Sequence, residues 1–236
     1  MATAIWPHGR YRFDFCGQAN HAGTTAMPDR HDPMLAYAAT VLAARELASA
    51  EPAGNGDGSL FPPPAGLAEK ENRPHSAPGG RATFGRVQVQ PGSTNSIPSR
   101  VTAWLDARAE SDAELEALVS GIVGRAQAAA ESDGTTVATT AESTTGAVEF
   151  DHALRHRLAA LLDAPVLPTG AGHDAGILAA TLPTAMLFVR NPTGISHAPA
   201  ESAEPADIDA GVDALARVVR DLAGGLDRLD RPAEAR

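Results

Sequence analysis

Cysteine is almost absent: Cys16 stands alone in 236 residues, so no intrachain disulfide can form. Its neighbours Phe13 and Phe15 suggest a strand. With no helix start or basic group adjoining it, Cys16 reads as a small buried hydrophobe and not as a nucleophile. Long apolar runs are lacking too, which argues against a membrane-spanning helix. A basic excess is missing: the formal net charge is −10, with 19 Lys plus Arg scattered among 29 Asp plus Glu. Gripping a nucleic-acid backbone needs a basic stripe, so that class of function is excluded. The first residues lack the basic-then-apolar pattern of a secretory signal, and a cytoplasmic address is expected. What remains, 43% hydrophobic and 20% charged residues, suits a globular chain with one large or two small domains. Met1 to Trp6 runs almost at once into a strand pattern, so the chain is expected to begin in mid-fold.

Periodicity then supplies an element order. Tyr11 to Gln18 alternates and predicts a strand. Asp32 as N-cap and Pro33 at the first position open a helix, with Met34, Tyr37, Ala38, Val41, Ala44 and Ala48 on one face. Residues 51–80 turn to Gly, Pro, Ala, Asn and Ser and read as a flexible insertion. Thr83–Gln90 and Ile97–Arg108 predict an antiparallel hairpin. Ser111 and Glu114 make a capping box, ahead of a helix that buries Leu115, Leu118, Val119, Ile122 and Val123. Thr135–Thr140 adds a fourth strand. The order is β-α-β-β-α-β, an open sheet with both helices on one face. Beyond Gly146 come a helix over Asp151–Asp163, a short Ala-rich helix ending near Leu182, and an apolar run over Thr184–Arg190. That run predicts a strand buried on both faces. A last helix begins near Pro205, lined by Ile208, Val212, Leu215, Val219 and Leu222, with a stop at Gly224-Gly225. This remainder resembles one flank of an α/β sheet whose other strands are missing.

Three polar clusters stand in turns between core segments, where function usually sits. His21, between Asn20 and Ala22-Gly23, can reach a ligand without obstruction, or can be a plain surface turn. Asn95 in a hairpin turn and Arg108 on the next strand offer a donor–acceptor pair and a carboxylate fork, or merely a turn and a solvated sheet face. Gly172-His173-Asp174 and Ser196-His197 place two histidines at the ends of α/β elements, fit for a metal or for acid–base work.

Two strings add a resemblance. GQANHAGTTAMPDRHDP (residues 17–33) resembles the lid-domain entry of the zinc-aminoacylase-like peptidase clan, in its N-carbamoyl-amino-acid hydrolase/allantoate amidohydrolase branch. GAGHDAGILA and PTAMLFVRNPTGISHAPAE resemble that branch's closing motif, and STNSIPSR with LDAR its usual hairpin. The resemblance runs from about Ala2 to Leu222, apart from the insertion.

It implies an α+β chain forming the carboxyl-terminal half of such an enzyme. Residues 1–10 would be catalytic-domain linker, 11–142 a lid that dimerises, and 143–236 the end of the catalytic domain. His197 matches the last metal ligand, for zinc or manganese. His21 matches the lid histidine that crosses a dimer to stabilise the oxyanion. Asn95 and Arg108 match the substrate-holding pair, with Arg108 on the carboxylate. Gly172 matches a backbone contact to substrate, and His8 stands where these enzymes often place a substrate-binding Gln. The expected reaction is hydrolysis of a linear ureido or amide C–N bond in a carboxylate-bearing small molecule. The alternative is a non-catalytic dimeric binding module. The family's other ligands lie upstream of what Met1 matches, and catalytic zinc keeps about three protein ligands. The chain is therefore expected to bind metal weakly and to be inactive without a complementing N-terminal polypeptide.

Overall fold

The computed structural model describes residues 1–50 and 79–226, so most of the predicted insertion at 51–80 lies outside the described residues. In chain order come β1 (Ala2–Ile5), β2 (His8–Cys16), β3 (Asn20–His21), α1 (Pro33–Ser49), β4 (Arg81–Gln90), β5 (Ser96–Ile97) and β6 (Arg100–Arg108). They are followed by α2 (Asp112–Ser132), β7 (Thr136–Thr145), β8 (Val148–Glu149), α3 (His152–Leu162), β9 (Leu167–Thr169), α4 (Asp174–Ala179) and α5 (Pro205–Leu226). Two compact units result: Trp6–Ala147, and Met1–Ile5 with the residues from Val148 on.

In the Trp6–Ala147 unit, four antiparallel strands lie in the order β4-β6-β2-β7, with α1 and α2 inserted as the β-α-β-β-α-β reading expects. Alternation assigns the two faces. Phe13, Phe15, Val101, Ala103, Leu105 and Ala107 are buried toward the helices, and Arg12, Asp14, Thr102, Trp104, Asp106 and Arg108 take the other side. Phe13 meets Phe84 edge-on at 5.5 Å between ring centroids, and Phe15 meets Tyr37 at 6.0 Å. The helices start where their caps dictate. The Asp32 carboxylate accepts from the Met34 amide, and Ser111 and Glu114 form the reciprocal capping box. Buried Ala36, Ala44, Ala126 and Ala130 keep the helix faces small enough for close packing.

Several expectations need correction here. Cys16 is half-buried, because its parity puts it on the outer face, and a basic group does stand opposite it: Arg100 is its register partner. Ile97–Arg108 is not one strand. Ser96–Ile97 pairs with β3, and β6 begins only at Arg100, after Pro98 interrupts the ladder. β7 runs to Thr145 and not to Thr140, because register with β2 holds it and not a buried apolar face.

Gly17 marks the tightest joint in this unit. Its N–H donates to the Ser99 carbonyl, the next amide donates to the His31 carbonyl, and a Cβ on Gly17 would lie 2.2 Å from that His31 oxygen. Backbone would have to move. Gly17→Ala should therefore destabilise the unit by about 3 kcal/mol, read as a lower urea midpoint at unchanged slope.

The other unit is smaller. Its sheet order is β8-β1-β9, antiparallel on one side of β1 and parallel on the other, over a core of Ala2, Ile5, Phe150 and Ala175. Thr184–Arg190, expected as a doubly buried strand, forms no strand among the described residues, and Phe188 and Val189 are exposed. Its backbone touches this unit through Ala2 N–H to the Met186 carbonyl and Asp151 N–H to the Thr184 carbonyl, too few bonds for a ladder. α5 continues through Gly224-Gly225 to Leu226, since glycine weakens a helix without ending it unless another conformation is favoured. Its predicted core face is bare: Ile208, Val212, Leu215, Val219 and Leu222 are 37–61% exposed. Among the described residues no helix is long and apolar enough to cross a membrane.

Candidate functional site

His21 and Asn95 are brought close by a two-stranded ribbon. β3 and β5 pair over Asn20–Ile97 and His21–Ser96, and the Ala22 N–H donates to the Asn95 carbonyl at 2.9 Å. The turn after β3 is closed on His21. Thr25 Oγ donates to the His21 carbonyl at 2.8 Å, and Arg30 clamps the carbonyls of Ala22 and Thr25. The imidazole folds back over this turn, and its Nδ1 accepts from the Gly23 and Thr24 amides at 3.1 and 3.2 Å. A neutral ring held this way carries its hydrogen on Nε2. His21 is exposed, so it presents a hydrogen-bond donor outward. Gly23 permits the pose, because a Cβ there would press the ring's Cε1 at 3.2 Å.

Arg108 sits elsewhere. It ends β6, eight strand residues beyond Arg100, about 26 Å from the end that carries His21 and Asn95. Its register partner is His8, so these two side chains share the outer face. Within one chain, four of the six nominated residues thus form two pairs at opposite ends of a sheet. The Arg108 Nε and Nη2 donate to Asp106 at 2.7 and 3.1 Å, and these bonds raise the guanidinium above its ordinary value against the opposing effect of burial. His8 Nδ1 lies 3.2 Å from the Trp6 carbonyl, so Nδ1 carries the hydrogen and Nε2 is left as an acceptor. The rest of the outer face is polar and bonded across strands. Arg86 stacks on Trp104 at 4.1 Å, the Trp104 indole N–H donates to Glu142, and Thr102 donates to Asp14.

In the other unit, His197 adopts a left-handed backbone (φ 57°), unusual for a non-glycine residue. Glu201 holds it there: one carboxylate oxygen accepts from the His197 N–H at 2.8 Å, the other from Ser196 Oγ at 3.2 Å. Asn191 shapes the preceding turn, its amide oxygen accepting from the Thr193 and Gly194 N–H groups and its amide donating to the Ile195 carbonyl. Gly172 lies exposed in the turn before α4, beside His173, whose Nδ1 caps that helix by accepting from the Ala175 N–H.

Residues 54–221 match the model of peptidase family M20/M25/M40. The chain belongs to that family. It is 30% identical over 230 residues to an N-carbamoyl-L-amino acid amidohydrolase of Geobacillus stearothermophilus, covering 95% of this chain and 49% of that protein. It is 28% identical over 228 residues to an allantoate amidohydrolase of Escherichia coli, covering 94% and 49%. The crystal structure of an amidase of the hydantoinase/carbamoylase family from Burkholderia vietnamiensis superposes with a TM-score of 0.76 at 31% identity, over 93% of this chain and 49% of that one. The chain spans about half the length of the curated relatives it matches.

For this M20/M25/M40 chain a divalent metal is the group the resemblance implies, and the residues present do not fit one unaided. Among the described residues no three His, Cys, Asp or Glu side chains, His197 included, converge on a common point. Two hollows of the Trp6–Ala147 unit are lined by Tyr11, Asp112 and Thr144, and by Leu47, Gly80 and Leu118, and neither contains a nominated residue. The sequence reading missed four supports: Arg30, Asp106, Asn191 and Glu201. Asp106 was signalled, since residues two apart on a strand share a face. The other three act mainly on backbone groups, with Asn191 and Glu201 also accepting from the Thr193 and Ser196 hydroxyls, and such contacts leave no periodic mark in the sequence.

Proposed function

We propose that this chain is the substrate-gripping, dimer-forming half of a metal-dependent amidohydrolase. The reaction is hydrolysis of a linear ureido or amide C–N bond in a carboxylate-bearing small molecule such as an N-carbamoyl-amino acid or allantoate. The observation that carries the reading is the β3–β5 ribbon, which pairs His21 with Ser96 and Ala22 with the Asn95 carbonyl and so sets Asn95 beside an imidazole fixed as an outward Nε2–H donor. A fixed neutral donor suits charge that develops on a carbonyl oxygen as water attacks. Asn95 adds hydrogen bonding to substrate, Arg108 exchanges its Asp106 bonds for the substrate carboxylate, and His8 offers its Nε2 acceptor to the N–H groups of a ureido end. Gly172 contributes backbone. His197 would be one ligand of a zinc or manganese ion whose other ligands come from a second polypeptide segment, and the protein works in the cytoplasm.

Because His21–Asn95 and His8–Arg108 lie at opposite sheet ends, two copies must bring them to one substrate. The exposed Leu35 and Leu42 of α1, beside the open edge of β4, give the lid an apolar surface for such a dimer. The exposed face of α5 and the exposed Phe188 and Val189 suit a second polypeptide segment in the same way.

The chain should be assayed for release of ammonia or amino acid from N-carbamoyl-amino acids and allantoate, alone and co-produced with the polypeptide that completes it. No turnover alone and metal-dependent turnover when joined are expected. Turnover by the purified chain alone, or a joined protein inert on every ureido acid, overturns the reading.

A further inference from the structure

α3 carries a histidine pair that the proposed chemistry does not use. His152 and His156 are four residues apart, which puts them on one face of the helix, and both are exposed. Their ring centroids are 4.2 Å apart at an interplanar angle of 45°, so the two imidazoles already converge. The helix beneath them is fixed. The Asp151 carboxylate accepts from the Leu154 N–H at 2.7 Å, Leu158 is buried, and Arg155 donates to the Thr3 carbonyl at 3.0 Å. Arg157, the other neighbouring cation, is drawn away from the pair by its 2.8 Å bond to Asp221.

We propose that His152 and His156 form an accessory binding site for a divalent first-row transition ion, independent of His197. Two imidazoles one turn apart can chelate one ion, as paired histidines do on metal-binding helices. Imidazole prefers Cu²⁺, Ni²⁺ and Zn²⁺ over the hard, oxygen-seeking Mg²⁺ and Ca²⁺, so the site selects the former. Among the described residues no third His, Cys, Asp or Glu completes the set, which leaves the remaining positions to water. The ion is therefore held at the surface in exchange with solvent, unlike a closed structural zinc. One consequence is practical. Metal that copurifies with this chain reports first on α3, and it says nothing of His197 until this pair is removed.

The test is a calorimetric titration of the full chain with NiCl₂, repeated on His152→Ala, His156→Ala and His197→Ala, with MgCl₂ as the contrast. Loss of even a supporting partner of a metal ligand lowers affinity about 10- to 100-fold, so loss of either of two direct ligands should weaken Ni²⁺ by at least about tenfold. His197→Ala should leave this site's affinity unchanged, and Mg²⁺ should give no saturable heat. Ni²⁺ binding that survives both alanine variants, or that disappears with His197, overturns the proposal. A second measurement needs no variant. Substoichiometric paramagnetic Cu²⁺ should broaden the ring resonances of His152 and His156 before those of His8, His21, His173 or His197, and any other order of broadening overturns it.

Discussion

Phe13→Ala should destabilise the Trp6–Ala147 unit by about 3–5 kcal/mol. Phe13 is fully buried on the central strand β2, stacked on Phe15 at 6.1 Å and edge-on to Phe84, beneath both helices. Removing the ring takes away its transfer free energy and leaves a cavity. The site is bounded by β6 and β7, the strands on either side of β2, and by helices fixed through their caps, so it collapses little. Domains hold about 5–15 kcal/mol in all, so the loss is a large part of the total. Chemical denaturation followed by circular dichroism checks it. A midpoint within error of the parent would mean that Phe13 does not anchor this core.

The second large effect concerns chemistry. In the completed enzyme His21→Ala should lower kcat about 10²- to 10³-fold, the usual loss when one oxyanion donor is removed, with KM changed far less. Two backbone amides occupy Nδ1, so the ring has only Nε2–H to offer a partner. Steady-state kinetics on an N-carbamoyl-amino acid decide the matter. A variant whose kcat equals the parent's removes His21 from the reaction. The chain's own fold is not at stake in this test, because the imidazole is exposed and contributes nothing to the aromatic core.

The Trp6–Ala147 unit was legible from sequence because its forces are local and periodic. Phe13 and Phe15 alternate with Arg12 and Asp14, Ser111 and Glu114 cap each other, and Leu115, Leu118 and Ile122 repeat at helical spacing. β7 was underestimated, since Ala141-Glu142-Ser143-Thr144-Thr145 has no apolar alternation and is held only by pairing with β2. The 184–190 run failed for the converse reason. Its side chains call for burial on both faces, but a strand exists only where neighbours supply the ladder. The site was half legible. His21, Asn95 and Arg108 were nominated by residue type and motif, and the rise per strand residue already set Arg108 far from Asn95 within one chain. What joins His21 to Asn95 is a ribbon of two residues per strand, too short for any periodic signal, and what separates Arg108 is the straight length of β6.

The bare stripe on α5 governs how the protein behaves in the test tube. Ile208, Val212, Leu215, Val219 and Leu222 follow a 4-3-4-3 spacing, the seam along which helices zip together. At the concentrations used for sedimentation or spectroscopy this seam will find copies of itself, or any surfactant present. The resulting clusters should dissolve as mild detergent is added and grow with sulfate, which strengthens apolar association. An aspartate at Val212 or Val219, mid-seam, is thus the first change to make before weighing the isolated chain, so that particles joined only through this helix are not counted.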